Sequence, residues 1–403
     1  MSSGQLKINW AKSHMPILKT IEDSFLSEKP FSGLKVGITL HLEAKTAYLA
    51  QVFKSGGAEV AICGSNPLST QDDVRQSLKD EGIYVYGHWG VNPEEFKNSL
   101  NRVLDHQPHL IIDDGGDLTF LLHRERESLL VNVLGSCEET TTGIRRIKAL
   151  ENNRELRIPV IAVNDALCKH LFDNRYGTGQ SSWDGILRTT NINIAGKKVV
   201  VVGYGWVGKG IALRGKGLGA KVIVTEIDSV KALEAYMDGF EVLSMSEAAR
   251  IGDIFITATG NINVIDRNHF EVMKDNAILC NAGHFDVEIN MVSLKEISKE
   301  RKEVRKNITQ YILKNGQRIN VLGEGRLVNL ACADGHPIEI MDLSFAIQSL
   351  SALYLLRNSS NLEKILHPVP EEIDNKVASL ALKTMNIQID TLSEEQIEYL
   401  KKA

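Results

Sequence analysis

The chain has 403 residues, a hydrophobic content of 43%, a charged content of 24% and a net charge of −5. Those values describe an ordinary globular protein with room for two or three domains, and they give no reason to expect nucleic acid as a partner. The N-terminus from Met1 to Pro16 is polar and mixed, which predicts no secretory signal, and no apolar run approaches the roughly 20 residues of a membrane span, so no membrane is expected as a partner.

In chain order, the first third alternates strand and helix patterns. Gly33 to Leu40 is a short apolar run that leads through His41 into a helix pattern ending near Lys54. Strands follow at Ala58–Cys63, Ile83–Tyr86, His109–Asp113 and Val160–Asn164, each separated by a helix-length segment. Such spacing predicts a parallel, doubly wound sheet, in which ligand groups gather just past the carboxyl ends of strands. That rule singles out His41 and the run from Asp113 to Asp117. The five cysteines (Cys63, Cys137, Cys168, Cys280, Cys332) lack C-x-x-C spacing and read as reduced, buried thiols of a cytoplasmic protein.

The strongest signal begins at mid-chain. The β run Lys197 to Val202 enters Gly203-Tyr204-Gly205-Trp206-Val207-Gly208, a helix pattern follows, and the next β run, Val222 to Thr225, ends at Glu226. This is the G-x-G-x-x-G dinucleotide fingerprint with its ribose-reading acid in place. Glu226, with Asp228 beside it, accepts from a ribose 2′-hydroxyl and repels a 2′-phosphate, so NAD is expected over NADP. Ile254–Gly260 and Ala277–Asn281 read as later strands of the same sheet, and Asn315-Gly316 as a turn between two strand-like runs. A polar run from Glu324 to His336 precedes a long helix from about Pro337 to Leu356, and the segment from Ile373 onward reads as helical with alternating charges.

The blocks Asn66–Asp73, Asp113–Asp117, Glu138–Gly143, Phe172–Gly177, Asn281–Phe285, Glu324–Leu330 and Gly335–Pro337, in that order, resemble the S-adenosylhomocysteine hydrolase (adenosylhomocysteinase) family along nearly the whole chain. The resemblance implies an α/β fold of two doubly wound parallel-sheet domains. The substrate domain would take residues 1–178 and 338–375, the NAD-binding Rossmann domain 179–337, and a helical subunit-contact segment 376–403. It also implies a homotetramer, with the long helix and the tail at an interface, and no metal. The implied reaction uses NAD inside a hydrolysis: the ribose 3′-hydroxyl is oxidised, the C4′ proton is lost, homocysteine is eliminated, water adds at C5′ and the ketone is reduced again.

Roles follow by the same resemblance. Lys169, neutral through a lowered pKa, and Asp173 would act at the 3′-hydroxyl, with Asp114 as base at C4′. His41 and His284 would serve the leaving thiolate and the water, and Glu139 a ribose hydroxyl. Glu43, Lys45, Thr46, Asp117 and His336 would bind substrate. Thr140, Thr141, Thr142, Asn174, Ala282, Gly283 and Asn329 would hold NAD together with Gly203, Gly205, Trp206, Val207, Gly208 and Glu226. The block Asn66–Asp73 would be structural.

Four individual positions and the C-terminal tail depart from the family pattern. Glu43 and Lys45 stand where many members carry a Thr and a Glu. Lys45 can donate to O6 of hypoxanthine and Glu43 can accept from N1–H, so the archaeal-type substrate S-inosyl-L-homocysteine is expected over the adenosyl thioether. The other possibility is that the two pair with each other or face solvent, leaving adenine preferred. Thr178 replaces a Cys, which makes that thiol dispensable. Lys231 replaces an Asn, and Glu394 to Lys402 stand in for a Lys- and Tyr-containing tail that reaches a partner subunit's NAD. Two other functions compete: a 2-hydroxyacid-type dehydrogenase using Arg326 and His336, which leaves Lys169, Asp173 and Asp114 unexplained, and a catalytically silent NAD-binding relative.

Overall fold

A computed structural model describes residues 1–402. The strands are β1 Lys35–Leu40, β2 Glu59–Gly64, β3 Tyr84–Tyr86, β4 Leu110–Asp113, β5 Gly135–Glu138, β6 Val160–Ala162, β7 Lys198–Val202, β8 Lys221–Thr225, β9 Glu241–Val242, β10 Ile254–Thr257, β11 Ala277–Asn281, β12 Ser298–Arg305, β13 Ile308–Leu313, β14 Arg318–Leu322 and β15 Leu366–Pro368. They build two sheets. The first has seven strands in the order β15-β6-β5-β4-β1-β2-β3, and every neighbouring pair is parallel. The second has eight, in the order β12-β13-β14-β11-β10-β7-β8-β9.

The apolar runs explain the central strands. β1, β4 and β7 are buried along almost their whole length, as expected for parallel strands covered by helices on both faces. The second sheet is mixed, not purely parallel. β13 runs antiparallel to both β12 and β14, because two tight turns, one with Asn307 at φ 64° and one at Asn315-Gly316 with Gly316 at φ 92°, each fold the chain straight back on itself. β12 itself, Ser298–Arg305, is a charged and largely exposed edge strand.

The chain leaves the first sheet after β6, builds the second, and returns through the helix Ile338–Asn358 to add β15 beside β6. That helix is long and apolar enough to span a membrane, yet 72% of its most apolar window is buried inside the protein. It belongs to the core, packed with the helix Pro16–Glu28. Asp342 on it accepts from the backbone N–H groups of Ile17 (2.9 Å) and Leu18 (2.7 Å), capping that neighbouring helix. The C-terminal segment is not continuously helical: Glu371–Thr384 and Glu394–Lys402 are separate helices, broken after Thr384 where Asn386 takes φ 55°.

Candidate active site

Both sheets reverse strand order at one place: between β1 and β4 in the first, and between β7 and β10 in the second. The carboxyl ends of these strands open into one cavity of about 970 Å³ that both sheets line, the location expected of a ligand site in doubly wound folds. His41 follows β1, Asp114 follows β4, and Glu139 follows β5. Lys169 and Asp173 sit on a stretch that widens into a π-helical turn over His170–Gly177, a geometry that recurs at functional sites.

Two buried charge clusters form the first wall. In one, the Lys169 ammonium lies 3.5 Å from Glu139, 3.4 Å from Asp173 and 2.9 Å from Asn174 Oδ1. Gln348 donates to Glu139 (2.6 Å), Ser344 donates to Asp173 (2.8 Å), and His336 Nδ1 lies 3.2 Å from Asp173. Burial alone would pull Lys169 down, but Asp173, Glu139 and Asp114 outweigh it and leave its pKa raised. These charges favour the ammonium, opposite in direction to the lowered value expected of Lys169 at hydride transfer. Burial pushes Glu139 up to about 7, with Lys169 working against that shift. Asp173 is held well below the usual range, where the Lys169 and His336 charges overcome burial.

In the second cluster, His41 Nε2 lies 3.3 Å from Asp114 Oδ2, and His284 Nδ1 lies 3.9 Å from Asp114 Oδ1. One donor atom from each of the three groups falls within 4.8 Å of the others. Desolvation lowers His41 to about 4 against the opposing pull of Asp114, so the ring is neutral at ordinary pH. Asp114 Oδ1 is buried without a hydrogen-bond partner, a free acceptor at the cavity surface. His284 reaches this cluster from the second sheet because Gly115 has no side chain: a Cβ there would stand 2.9 Å from His284 Nε2.

The second wall is the dinucleotide loop. Glu226 Oε2 accepts from Tyr204 N (2.7 Å), and its Oε1 accepts from Ile227 N (2.7 Å) and Asp228 N (3.1 Å), which fixes the acid at the end of β8. At Gly205 a Cβ would point into open space beside the loop, the room a pyrophosphate needs to approach the backbone. Asn329 donates to Ser181 Oγ (3.1 Å), while its Oδ1 is buried and unpartnered. Those features fit NAD: a bare amide cradle, a ribose-reading carboxylate and an orphaned acceptor for a carboxamide donor.

Most expected site residues line this cavity: Glu43, Lys45, Thr46, Thr140, Thr141, Thr142, Asn174, Gly203, Gly205, Trp206, Val207, Glu226, Ala282, Gly283, Asn329 and His336. Three arrangements differ from expectation. Asp117 does not reach the cavity surface, because Arg146 holds it at 2.6 Å. Gly208 lies beneath the loop, where a Cβ would stand 2.0 Å from the Gly203 carbonyl oxygen, so it serves close helix–strand packing. Glu43 and Lys45 do not face the base separately: they bond each other at 2.7 Å, and Glu43 also caps its helix by accepting from Lys45 N and Thr46 N.

Sequence reasoning passed over Ser65, which donates to Asp114 Oδ2 at 2.7 Å and lies 3.1 Å from His41 Nδ1. It directly follows β2, so the strand-end rule that selected His41 applies to it equally. Gln348 and Ser344 were also missed, although polar side chains interrupting an apolar helix pattern were the available signal. Glu138, buried beneath the wall, accepts from Gly115 N (2.9 Å) and Thr140 N (2.9 Å).

Comparison with known proteins agrees with this geometry. Residues 1–132 match the model of the S-adenosyl-L-homocysteine hydrolase family, and residues 174–335 match the model of its NAD binding domain. The chain is 58% identical to the S-inosyl-L-homocysteine hydrolase of Methanocaldococcus jannaschii, over 99% of this chain and 96% of that one. It is 56% identical to the adenosylhomocysteinase of Pyrococcus abyssi over 99% and 94% of the two chains. Against the adenosylhomocysteinase of Thermotoga maritima the identity is 55%, over 100% and 99%. With two buried charge clusters facing a dinucleotide loop and full-length similarity of this degree, the chain belongs to the S-adenosyl-L-homocysteine hydrolase family.

Proposed function

We propose that this protein catalyses the NAD-dependent, reversible hydrolysis of a purine-nucleoside homocysteine thioether to nucleoside and L-homocysteine. The observation that carries this reading is the meeting, in one cavity, of the Lys169–Glu139–Asp173 cluster and the His41–Asp114–His284 cluster with the dinucleotide loop. NAD, when bound, supplies reversible oxidation at the ribose C3′ carbon.

The chain's own groups do the rest. The 3′-hydroxyl binds at the Lys169–Glu139–Asp173 cluster, which takes up its proton. A carbonyl at C3′ acidifies the adjacent C4′ proton, and Asp114 with its open Oδ1 is placed to remove it. His41 and His284 then protonate the departing sulfur and orient the water that adds at C5′. We assign the substrate role to residues 1–178 and 338–375, cofactor binding to 179–337, and subunit contact to 376–403. A dehydrogenase would release net NADH on substrate addition; the hydrolase ends with NAD restored, so absorbance over a full turnover tests the reading.

For the base, we propose S-inosyl-L-homocysteine as the preferred thioether, although Glu43 and Lys45 pair with each other and Glu43 is thereby taken from hypoxanthine N1–H. Relatives of both names are almost equally similar to this chain, at 58% and 56% identity, so the argument rests on Lys45. Its ammonium donates to Glu43 at 2.7 Å and to the Asp334 carbonyl at 3.1 Å, which leaves one of its three donors for the cavity. A donor suits hypoxanthine O6 and opposes the amino group of adenine, a difference of about 1–3 kcal/mol, or roughly tenfold and more in preference. Steady-state rates with both thioethers check it. Lys45→Gln, whose amide both donates and accepts, is expected to erase most of the inosyl preference, and an adenosyl preference in the parent protein would refute it.

The protein is assigned to the cytoplasm as a homotetramer. Exposed apolar residues Val230, Leu233 and Met237 on the helix Ser229–Met237, with Ile397 and Leu400 near the C-terminus, offer the surface. Light scattering of the purified protein gives its subunit number.

A further inference from the structure

Asn164 carries none of the roles assigned above, yet it is buried and lines the cavity. It stands in the turn Val163–Asp165, which directly follows β6. Its neighbour in space is Asn174, the group that holds the Lys169 ammonium. Asn174 Oδ1 accepts from Lys169 Nζ at 2.9 Å, while Glu139 and Asp173 stand further off at 3.5 and 3.4 Å. In a regular α-helix a residue five places on is turned about 140° away. The π-helical widening over His170–Gly177 brings Asn174 back onto the Lys169 side.

A side-chain amide has one accepting end and one donating end, so its sense matters. Asn174 Nδ2 donates to Asn164 Oδ1 at 3.3 Å, and Asn164 Nδ2 donates to Asp165 Oδ1 at 3.0 Å. Thr141 also gives its hydroxyl proton to Asn164 Oδ1, at 3.4 Å. The two ends of this chain have a fixed sense, because an ammonium only donates and a carboxylate only accepts. Between such ends, one arrangement of the two amides pairs a donor with an acceptor at every link. Turning Asn174 over sets its NH2 against the ammonium and its oxygen against the Asn164 oxygen. Turning Asn164 over sets two NH2 groups face to face and an oxygen against the carboxylate. Either error makes two contacts repulsive at a buried site, where unpaired polar groups are costly.

We propose that Asn164 is a positioning residue for 3′-oxidation: anchored on Asp165, it fixes the sense of the Asn174 amide, which holds Lys169 beside the ribose 3′-hydroxyl. The inference rests on the reaction proposed above. In that step the C3′–H bond breaks and its electron pair leaves with the hydrogen for NAD. The O–H proton passes to the Lys169–Glu139–Asp173 cluster, and the C3′–O bond becomes double. Asn164 exchanges no proton; it sets where the ammonium nitrogen sits. Asp165 is exposed, so the anchoring charge stays in water and pays little desolvation, whereas the ammonium at the other end lies inside.

The test uses the NAD-loaded enzyme with nucleoside and separates three measurements. They are the single-turnover rate of NADH formation, 4′-proton exchange in D2O counted per enzyme in the NADH form, and NAD affinity titrated into stripped enzyme. Asn164→Ala is expected to slow NADH formation about tenfold to a hundredfold, while the other two stay within about threefold, the pattern of losing one buried contact to a charged group's partner. Asn164→Asp together with Asp165→Asn exchanges the two side chains. The carboxylate at 164 then accepts from Asn174 and from the amide at 165, every link is complementary again, and most of the rate is expected back. Asn164→Asp alone sets two carboxylates against each other and should recover less. An unchanged NADH rate in Asn164→Ala, equal loss in all three measurements, or a paired variant no faster than Asn164→Ala or Asn164→Asp overturns the proposal. If the parent enzyme forms no NADH with nucleoside, the proposed function fails instead, so the two failures are distinguishable.

Discussion

The two walls of the cavity are built on opposite principles. The first holds buried side-chain charge: Lys169, Glu139, Asp173 and Asp114, each no more than 6% exposed and braced by Gln348, Ser344 and Ser65. The second is mostly backbone, a glycine turn and strand ends whose principal acid, Glu226, is fixed by three main-chain N–H groups. Charge that must move protons is kept dry, where its interactions are strong. A surface that only cradles a dinucleotide needs amides and space, and neither has to be buried deeply.

The largest expected effect comes from the first wall. Asp114→Asn keeps the shape but loses the basic carboxylate, and turnover should fall about 10²–10⁴-fold with NAD content unchanged. Absorbance on nucleoside addition should still report 3′-oxidation, and loss of cofactor from the purified variant would break the contrast between the walls. On the second wall, Glu226→Ala should weaken NAD about tenfold to a hundredfold. Its turnover at saturating NAD should stay near that of the parent protein, as measured by titrating the cofactor into stripped enzyme. A drop in saturated turnover as large as that of Asp114→Asn would merge the two roles.

The smallest effect concerns stability. Burial raises Asp113 to about 6, aided by Asp117 and opposed by the Thr119 and Leu118 N–H groups. Burial and the Asp113 and Asp114 charges also raise Glu138 well above its usual value. Between an unfolded value near ~4 and these raised values the folded protein binds more protons than the unfolded chain. Its stability therefore falls as pH rises through that window, from about 4 to about 6 for Asp113. Thermal midpoints of the cofactor-free protein should decline across that range. Glu138→Gln removes one of the opposed charges, so its decline should be shallower by a few degrees, of the order set by about 1 kcal/mol. An identical slope in the variant would show that Glu138 does not carry the penalty.

Much of this was legible in the residues. Continuous apolar runs marked β1, β4, β7 and β10, and strand-end placement marked His41 and Asp114, since both signals are local. β12 escaped because an exposed edge strand of alternating Lys, Glu and Arg has no buried face to imprint a pattern. The upward pull on Lys169 was not legible because Glu139 and Asp114 come from distant places in the chain, and only the fold adds their fields to that of Asp173. The Glu43–Lys45 contact was one of two possibilities open at that stage. It was decided by helix capping, which spends Glu43 on backbone N–H groups. Ser65 carried no distinguishing residue type: a serine after a strand is common, and its two partners lie 24 and 49 residues away in the chain.

The route of the chain between its two sheets has a mechanical corollary. The polypeptide crosses from one half to the other near Thr178 and back near His336, and at those crossings the two residues touch, Thr178 Oγ1 to His336 Nε2 at 3.0 Å. His336 in turn bears on Asp173 at 3.2 Å. Any change in the angle between the halves must be absorbed at these two spans, so the pivot and the reaction centre share side chains. A change in that angle would move His336 and, through its contact with Asp173, the floor of the reaction centre.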